Sequence, residues 1–99
     1  MDSDLGGFAP PPFRPDQALQ KLGRALRALG LSEREGRFER RGKVFARAAV
    51  QDGKLQVALA KRPTRSPEWQ SRVLQDDSGL RQFVADLEKR LAQQDAADD

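Results

Sequence analysis

The dipeptide Asp52-Gly53 restricts this chain more than any other feature. A two-residue type I′ hairpin turn needs φ > 0 at both central positions, and Asp-Gly is among the pairs that adopt it most readily. Counting outward sets Gln51 opposite Lys54, Val50 opposite Leu55, Ala48 opposite Val57 and Ala46 opposite Leu59. Apolar residues meet apolar residues at alternate positions, so the turn and the pattern select one register.

An earlier turn lies at Arg40-Arg41-Gly42. A three-residue loop with a G1 bulge sets Glu39 opposite Lys43 and Phe38 opposite Val44, and places Phe38 on the core face with Val44, Ala46, Ala48, Val50, Leu55, Val57 and Leu59. A two-residue loop would move Phe38 to the other face, beside Phe45. The three-residue register is the expectation. A preceding helix runs from Pro15 or Asp16 to Leu29, with Leu19, Leu22, Leu26 and Leu29 in one stripe and Gly30 at the left-handed C′ position.

Pro63 ends the third strand, and Ser66-Pro67-Glu68 has the form of a helix start, with Ser66 as N-cap and Pro67 at N1. On that helix Trp69 and Val73 would face the core. Asp76-Asp77-Ser78-Gly79 reads as a capping turn. A last helix over residues 79–94 carries the stripe Leu80, Phe83, Val84, Leu87 and Leu91, with Asp86 and Arg90 as an i,i+4 pair. The predicted fold is α+β, a two-layer sandwich with a three-stranded antiparallel meander covered on one face by helices, in the order α-β-β-β-α-α. A Pro/Gly-rich arm at 1–15, one domain at 16–94 and a frayed acidic tail at 95–99 complete the organisation. Phe8 and Phe13 in the arm either pack back over the domain, dock on a partner or belong to a disordered segment.

The 99 residues contain no His, no Cys and no Tyr, which supply most protein bases, nucleophiles and metal ligands. That composition argues for no enzymatic activity, no cofactor and no metal, and excludes a disulfide scaffold. No apolar run approaches the ~18 residues of a membrane span. The first fifteen residues lack the basic and apolar regions of a signal peptide, so a soluble, cytoplasmic protein with no membrane partner is expected.

Net charge is +3, unevenly placed: zero over residues 1–33, +7 over 34–72 and −4 over 73–99. Arg outnumbers Lys thirteen to five, as in GC-rich bacterial genomes. The run GKVFARAAVQDGKLQVALAKRPTRSPEWQSRVL, Gly42 to Leu74, resembles that of small uncharacterised proteobacterial proteins, a resemblance that implies no particular activity. The helix–three-strand–helix order is similar to the double-stranded RNA-binding fold in topology alone; Ser66-Pro67-Glu68-Trp69 stands where that fold carries basic residues.

The sheet face away from the core would present Phe45, Arg47, Ala49 and Gln51 beside Lys54, Gln56, Ala58, Ala60 and Arg62. Arg37, Arg40, Arg41 and Lys43 would surround the first turn, and Lys61, Arg62 and Arg65 precede the Ser66 helix. The candidate binding surface is therefore Arg37, Arg40, Arg41, Lys43, Phe45, Arg47, Lys54, Lys61, Arg62 and Arg65. Such a face is a solvated surface, a protein interface or a nucleic-acid platform. The leading expectation is a protein-interaction or accessory module that self-associates as a homodimer through the open face, or binds another protein. The alternative is backbone-directed nucleic-acid binding through the basic sheet and turns.

Overall fold

The computed structural model describes residues 13–64 and 68–98, with side chains at 13–61 and 68–96. Most of the Pro/Gly-rich arm and the Ser66-Pro67 signal lie outside the described residues. Helix α1 (Pro15–Ala28) has Pro15 in its first turn and buries Ala18, Leu22, Gly23 and Leu26. It ends in a Schellman arrangement: Gly30 (φ +91°) donates to the Arg27 carbonyl and Leu31 to that of Leu26. Phe13, just before the helix, packs against the core.

Five strands follow: β1 (Ser32–Arg34), β2 (Arg37–Arg40), β3 (Lys43–Gln51), β4 (Lys54–Thr64) and β5 (Trp69–Leu74). They form one sheet in chain order, each strand antiparallel to the next. Helix α2 (Asp77–Asp98) closes the chain, capped by the Asp76 carboxylate, which accepts the Gly79 N–H at 2.7 Å. It continues through Asp98, across the stretch expected to fray.

The order is thus α-β-β-β-β-β-α, and the expected three-stranded meander with order α-β-β-β-α-α is incorrect. Two segments account for the difference. Residues 32–34 form β1, whose three polar residues carry no readable alternation. Residues 69–74, expected to be helical, form β5 instead. Their period is two: Gln70, Arg72 and Leu74 pair with Leu59, Val57 and Leu55, while Trp69, Ser71 and Val73 pair with Ala60, Ala58 and Gln56. Pairing with the free side of β4 supplies six residues with a hydrogen-bond ladder, whereas an isolated helix of that length is unstable in water.

The Asp52-Gly53 hairpin has the register its turn dictates, Gln51↔Lys54, Val50↔Leu55, Ala48↔Val57 and Ala46↔Leu59. The preceding turn differs from expectation. It is the two-residue turn Arg41-Gly42, which pairs Arg40 with Lys43 and Glu39 with Val44. An irregularity between Phe38 and Glu39 then sets Phe38 opposite Ala46. Phe38 thus reaches the core face through a bulge in the strands. Phe45 joins the helix-side core with Ala46, and Val44 shares the other face with Glu39.

β4 is irregular at the same point, with Val44 paired to Thr64 and Ala46 to Leu59. Arg90 of α2 reaches this irregularity and donates to the carbonyls of Ala60 (2.9 Å) and Lys61 (2.5 Å). The expected Asp86–Arg90 pair is therefore replaced, and Asp86 accepts from Arg72 at 3.0 Å. The core lies between the two helices and one sheet face, with Phe38, Phe83, Leu22, Leu26, Leu55 and Leu87 its largest fully buried side chains.

Candidate functional site

Both helices pack on one face, so the other face of the sheet carries no layer among the described residues. Cross-strand partners share a face, and the pairings give its composition directly. Arg34 stands opposite Arg37, and Arg37 opposite Arg47. The same row continues through Ala58 of β4 to Ser71 of β5. Three guanidinium side chains are therefore neighbours on adjacent strands, about 4.8 Å apart at the backbone.

None of these three arginines has a carboxylate at ion-pair distance among the described residues. Directly opposed like charges are destabilising. Arg47 gains one compensation: its guanidinium lies 4.8 Å from the Trp69 ring centroid. The two side chains converge from strands on either side of β4, over Ala58 and Ala60, which are only 1% and 3% exposed. The small side chains of β4 make room for that contact.

Beside the arginine row lies a shallow depression of about 500 Å³, lined by Arg37, Arg47, Ala49, Gln56, Ser71 and Val73. Val73 is 42% exposed, one of two large apolar side chains left open to solvent among the described residues. The other, Val50, borders a groove of about 730 Å³ between α1 and the β2–β3 ribbon, where Leu19 and Phe38 meet the ion pair Arg27–Glu33. The first depression combines cations, the Glu35 carboxylate at its rim, amides, a hydroxyl and an apolar contact. In the groove Arg27 is matched by Glu33, while Arg24 has no carboxylate at ion-pair distance among the described residues.

Of the sequence-predicted residues, Arg37, Arg47 and Lys54 stand on the open face. Phe45 does not: it is 2% exposed in the helix-side core, because the bulge turns it over. Arg40 also points to the helix side, against the Phe45 ring (5.6 Å) and the Asp95 carboxylate (2.6 Å). Arg41 is exposed in its turn, and Lys43 faces Arg40 across the hairpin. Lys61 lies 3.8 Å from the Glu68 carboxylate. Arg62 contributes backbone to β4, its side chain and all of Arg65 lying outside the described residues.

Sequence reasoning missed Arg34, Trp69, Ser71 and Val73 on this face. The alternation of residues 69–74 was the available signal for the last three. Arg34 is placed only by the Glu35-Gly36 turn, a weaker hairpin signal than Asp-Gly.

Among the described residues, Asp86 is the one carboxylate with a resolved change in acidity. Partial burial pushes its pKa up, but hydrogen bonds from Gln82 and Arg72 and the charges of Arg72 and Lys89 outweigh this, leaving it below the ordinary value. It belongs to the helix side, 3.0 Å from Arg72, whose guanidinium also lies 5.4 Å from the Phe83 ring centroid. Among the described residues no group of three or more acidic side chains is placed to hold a metal ion, and no helix is long and apolar enough to cross a membrane. No protein-family model matches the chain, and no curated protein or solved structure is significantly similar to it.

Proposed function

We propose that this chain is a non-enzymatic, cytoplasmic interaction module whose open sheet face docks an acidic segment of another protein. The observation that carries this reading is the row Arg34–Arg37–Arg47, three neighbouring cations that have, among the described residues, no carboxylate partner and no covering layer over their face. A row that opposes like charges, with only the Arg47–Trp69 contact to offset them, is suited to a ligand that brings the missing negative charge. Arg and Trp are also the residues most often central to protein interfaces, and Val73 with Ala49 supplies apolar contact beside the charges.

The same face fits a second copy of itself poorly. Arg34, Arg37, Arg47 and Lys54 outnumber Glu35 and Glu39, so face-to-face self-association would oppose like charges. The cation row also favours a second reading, phosphate-backbone binding. Against it, the Trp69 ring is engaged by Arg47, and no second aromatic side chain stands on this face among the described residues.

Trp69 is the single tryptophan of the chain and sits at the end of the row, so its fluorescence reports on the site. A Glu/Asp-rich peptide with interspersed Leu and Phe should change that fluorescence saturably, and Arg37→Thr should weaken the titration at least roughly tenfold. An oligonucleotide that binds more tightly, with affinity falling steeply with salt, would replace this reading by the nucleic-acid one. No response to either probe would reject both.

A further inference from the structure

We infer that β5 is a self-pairing edge, and that two copies of this chain join through it antiparallel into one continuous ten-stranded sheet. The two edges of the sheet are built differently. β1 is three residues long and reads Ser-Glu-Arg, a short, charged edge of the kind that resists further pairing. β5 is six residues long, and among the described residues no strand pairs with its outer side. It contains no Pro, and its pairing with β4 runs without a register shift. Its one charged side chain, Arg72, faces the helices and is held by Asp86 at 3.0 Å.

The backbone geometry gives the register. Lys61 N–H donates to the Glu68 carbonyl at 2.9 Å, and these residues stand directly opposite in the β4–β5 ladder. A bond between opposed residues marks a hydrogen-bonded pair, and such pairs alternate along an antiparallel ladder. Gln70, Arg72 and Leu74 therefore turn their N–H and C=O groups toward β4, while Trp69, Ser71 and Val73 present theirs to the free edge. The tight turn at the other side of β4 agrees: Gln51 and Lys54 close it, which assigns Gln56 and Ala58 to β3 and leaves Val57 and Leu59 for β5.

A two-fold axis at Ser71 uses all of the free groups. Ser71 meets Ser71 of the second copy, and Trp69 meets its Val73 on either side, giving six N–H···O=C bonds. On the open face the half-exposed Trp69 then packs beside the 42%-exposed Val73 of the other copy, and the hydroxyls meet at the axis. On the helix side Gln70 stands beside the partner's Arg72. No like charges are opposed. The two open faces become continuous, and their arginine rows lie on one surface.

The chain contains no cysteine, so a single Ser71→Cys substitution gives a selective probe. Opposed residues in a hydrogen-bonded pair have Cα atoms about 5.5 Å apart, within disulfide range. Under mild oxidation Ser71→Cys should cross-link rapidly into a dimer, and Gln56→Cys, on β4, should not. Sedimentation of the full chain should give a concentration-dependent dimer of the 11.0 kDa protomer.

Ser71→Pro removes only an outward N–H, which an edge strand tolerates, and should weaken that dimer at least roughly thirtyfold through the two bonds lost. Val73→Lys, which leaves the backbone untouched, should weaken it too. A chain that stays monomeric at several hundred micromolar overturns the inference. So does a dimer that survives both Ser71→Pro and Val73→Lys, or equal cross-linking at positions 56 and 71.

Discussion

On the helix side of the sheet, Arg72 reaches both the Phe83 ring and the Asp86 carboxylate, and Arg40 reaches both the Phe45 ring and Asp95. On the open side, Arg34, Arg37 and Arg47 share one row and no carboxylate among the described residues. Arg37, in the middle, is flanked by a guanidinium on each side. Arg37→Thr keeps a good strand former and removes the central charge. It should raise the unfolding free energy by about 0.5 kcal/mol at low salt, with the gain shrinking at high salt. A loss of stability, or a gain indifferent to salt, would contradict the repulsive row. Asp86 gives a pH-dependent test. Its folded-state pKa lies below the unfolded value of about 3.9, so its contribution is complete above that value and is lost as pH falls through the folded pKa. The destabilisation caused by Asp86→Asn, measured by urea unfolding, should be full at neutral pH and smaller in acid below the unfolded value. An equal cost at both would show that its ionisation contributes nothing.

At the scale of elements, the meander is built from three turns of one kind. Glu35-Gly36 (φ 53° and 80°), Arg41-Gly42 (56° and 75°) and Asp52-Gly53 (55° and 71°) each place two consecutive residues at positive φ. Glu and Arg occupy that region at a cost that Asn largely avoids. Glu35→Asn should therefore stabilise the protein by about 0.5–1 kcal/mol in urea unfolding, and a neutral result would remove the turn-strain argument. Gly36 is the most constrained of the glycines, because an added Cβ would stand 3.1 Å from the Ala48 carbonyl oxygen, on backbone that cannot swing away. Gly36→Ala should cost about 2–3 kcal/mol and Gly42→Ala, with open space at its Cβ, visibly less. Equal costs would contradict the close approach. These turns also explain what was legible. Asp52-Gly53 announced itself, and the register it dictated holds residue for residue; with it came the placement of Arg47 and Lys54. Arg41-Gly42 and Glu35-Gly36 lack the residues that mark such turns, so β1 and Arg34 were hidden. The bulge that exchanges Val44 and Phe45 has no local signature, because both are large and apolar. At β5, the Ser-Pro-Glu helix signal outweighed a six-residue alternation whose partner residues lie nine to nineteen positions away.

At the scale of the whole molecule, the two helices cover one face of a five-stranded sheet, and among the described residues the other face and the β5 edge are uncovered. The charge asymmetry of the sequence acquires a spatial meaning there. Part of the basic middle segment forms the open face, while Asp86 and Asp95 of the acidic end hold Arg72 and Arg40 on the other side. Asp86 and Asp95 thus neutralise Arg72 and Arg40, and the open-face row has no carboxylate partner among the described residues. The most direct test is an amide-shift titration of the isotopically labelled full chain with the same Glu/Asp-rich peptide, at low and at moderate salt. Saturable, salt-sensitive shifts gathered on Arg34, Arg37, Arg47, Gln56, Ser71 and Val73, and lost in Arg37→Thr, are the predicted result. Shifts confined to α1, to α2 or to the Arg41 turn, or identical shifts in Arg37→Thr, would show that the open face is a solvated surface and that the chain binds elsewhere.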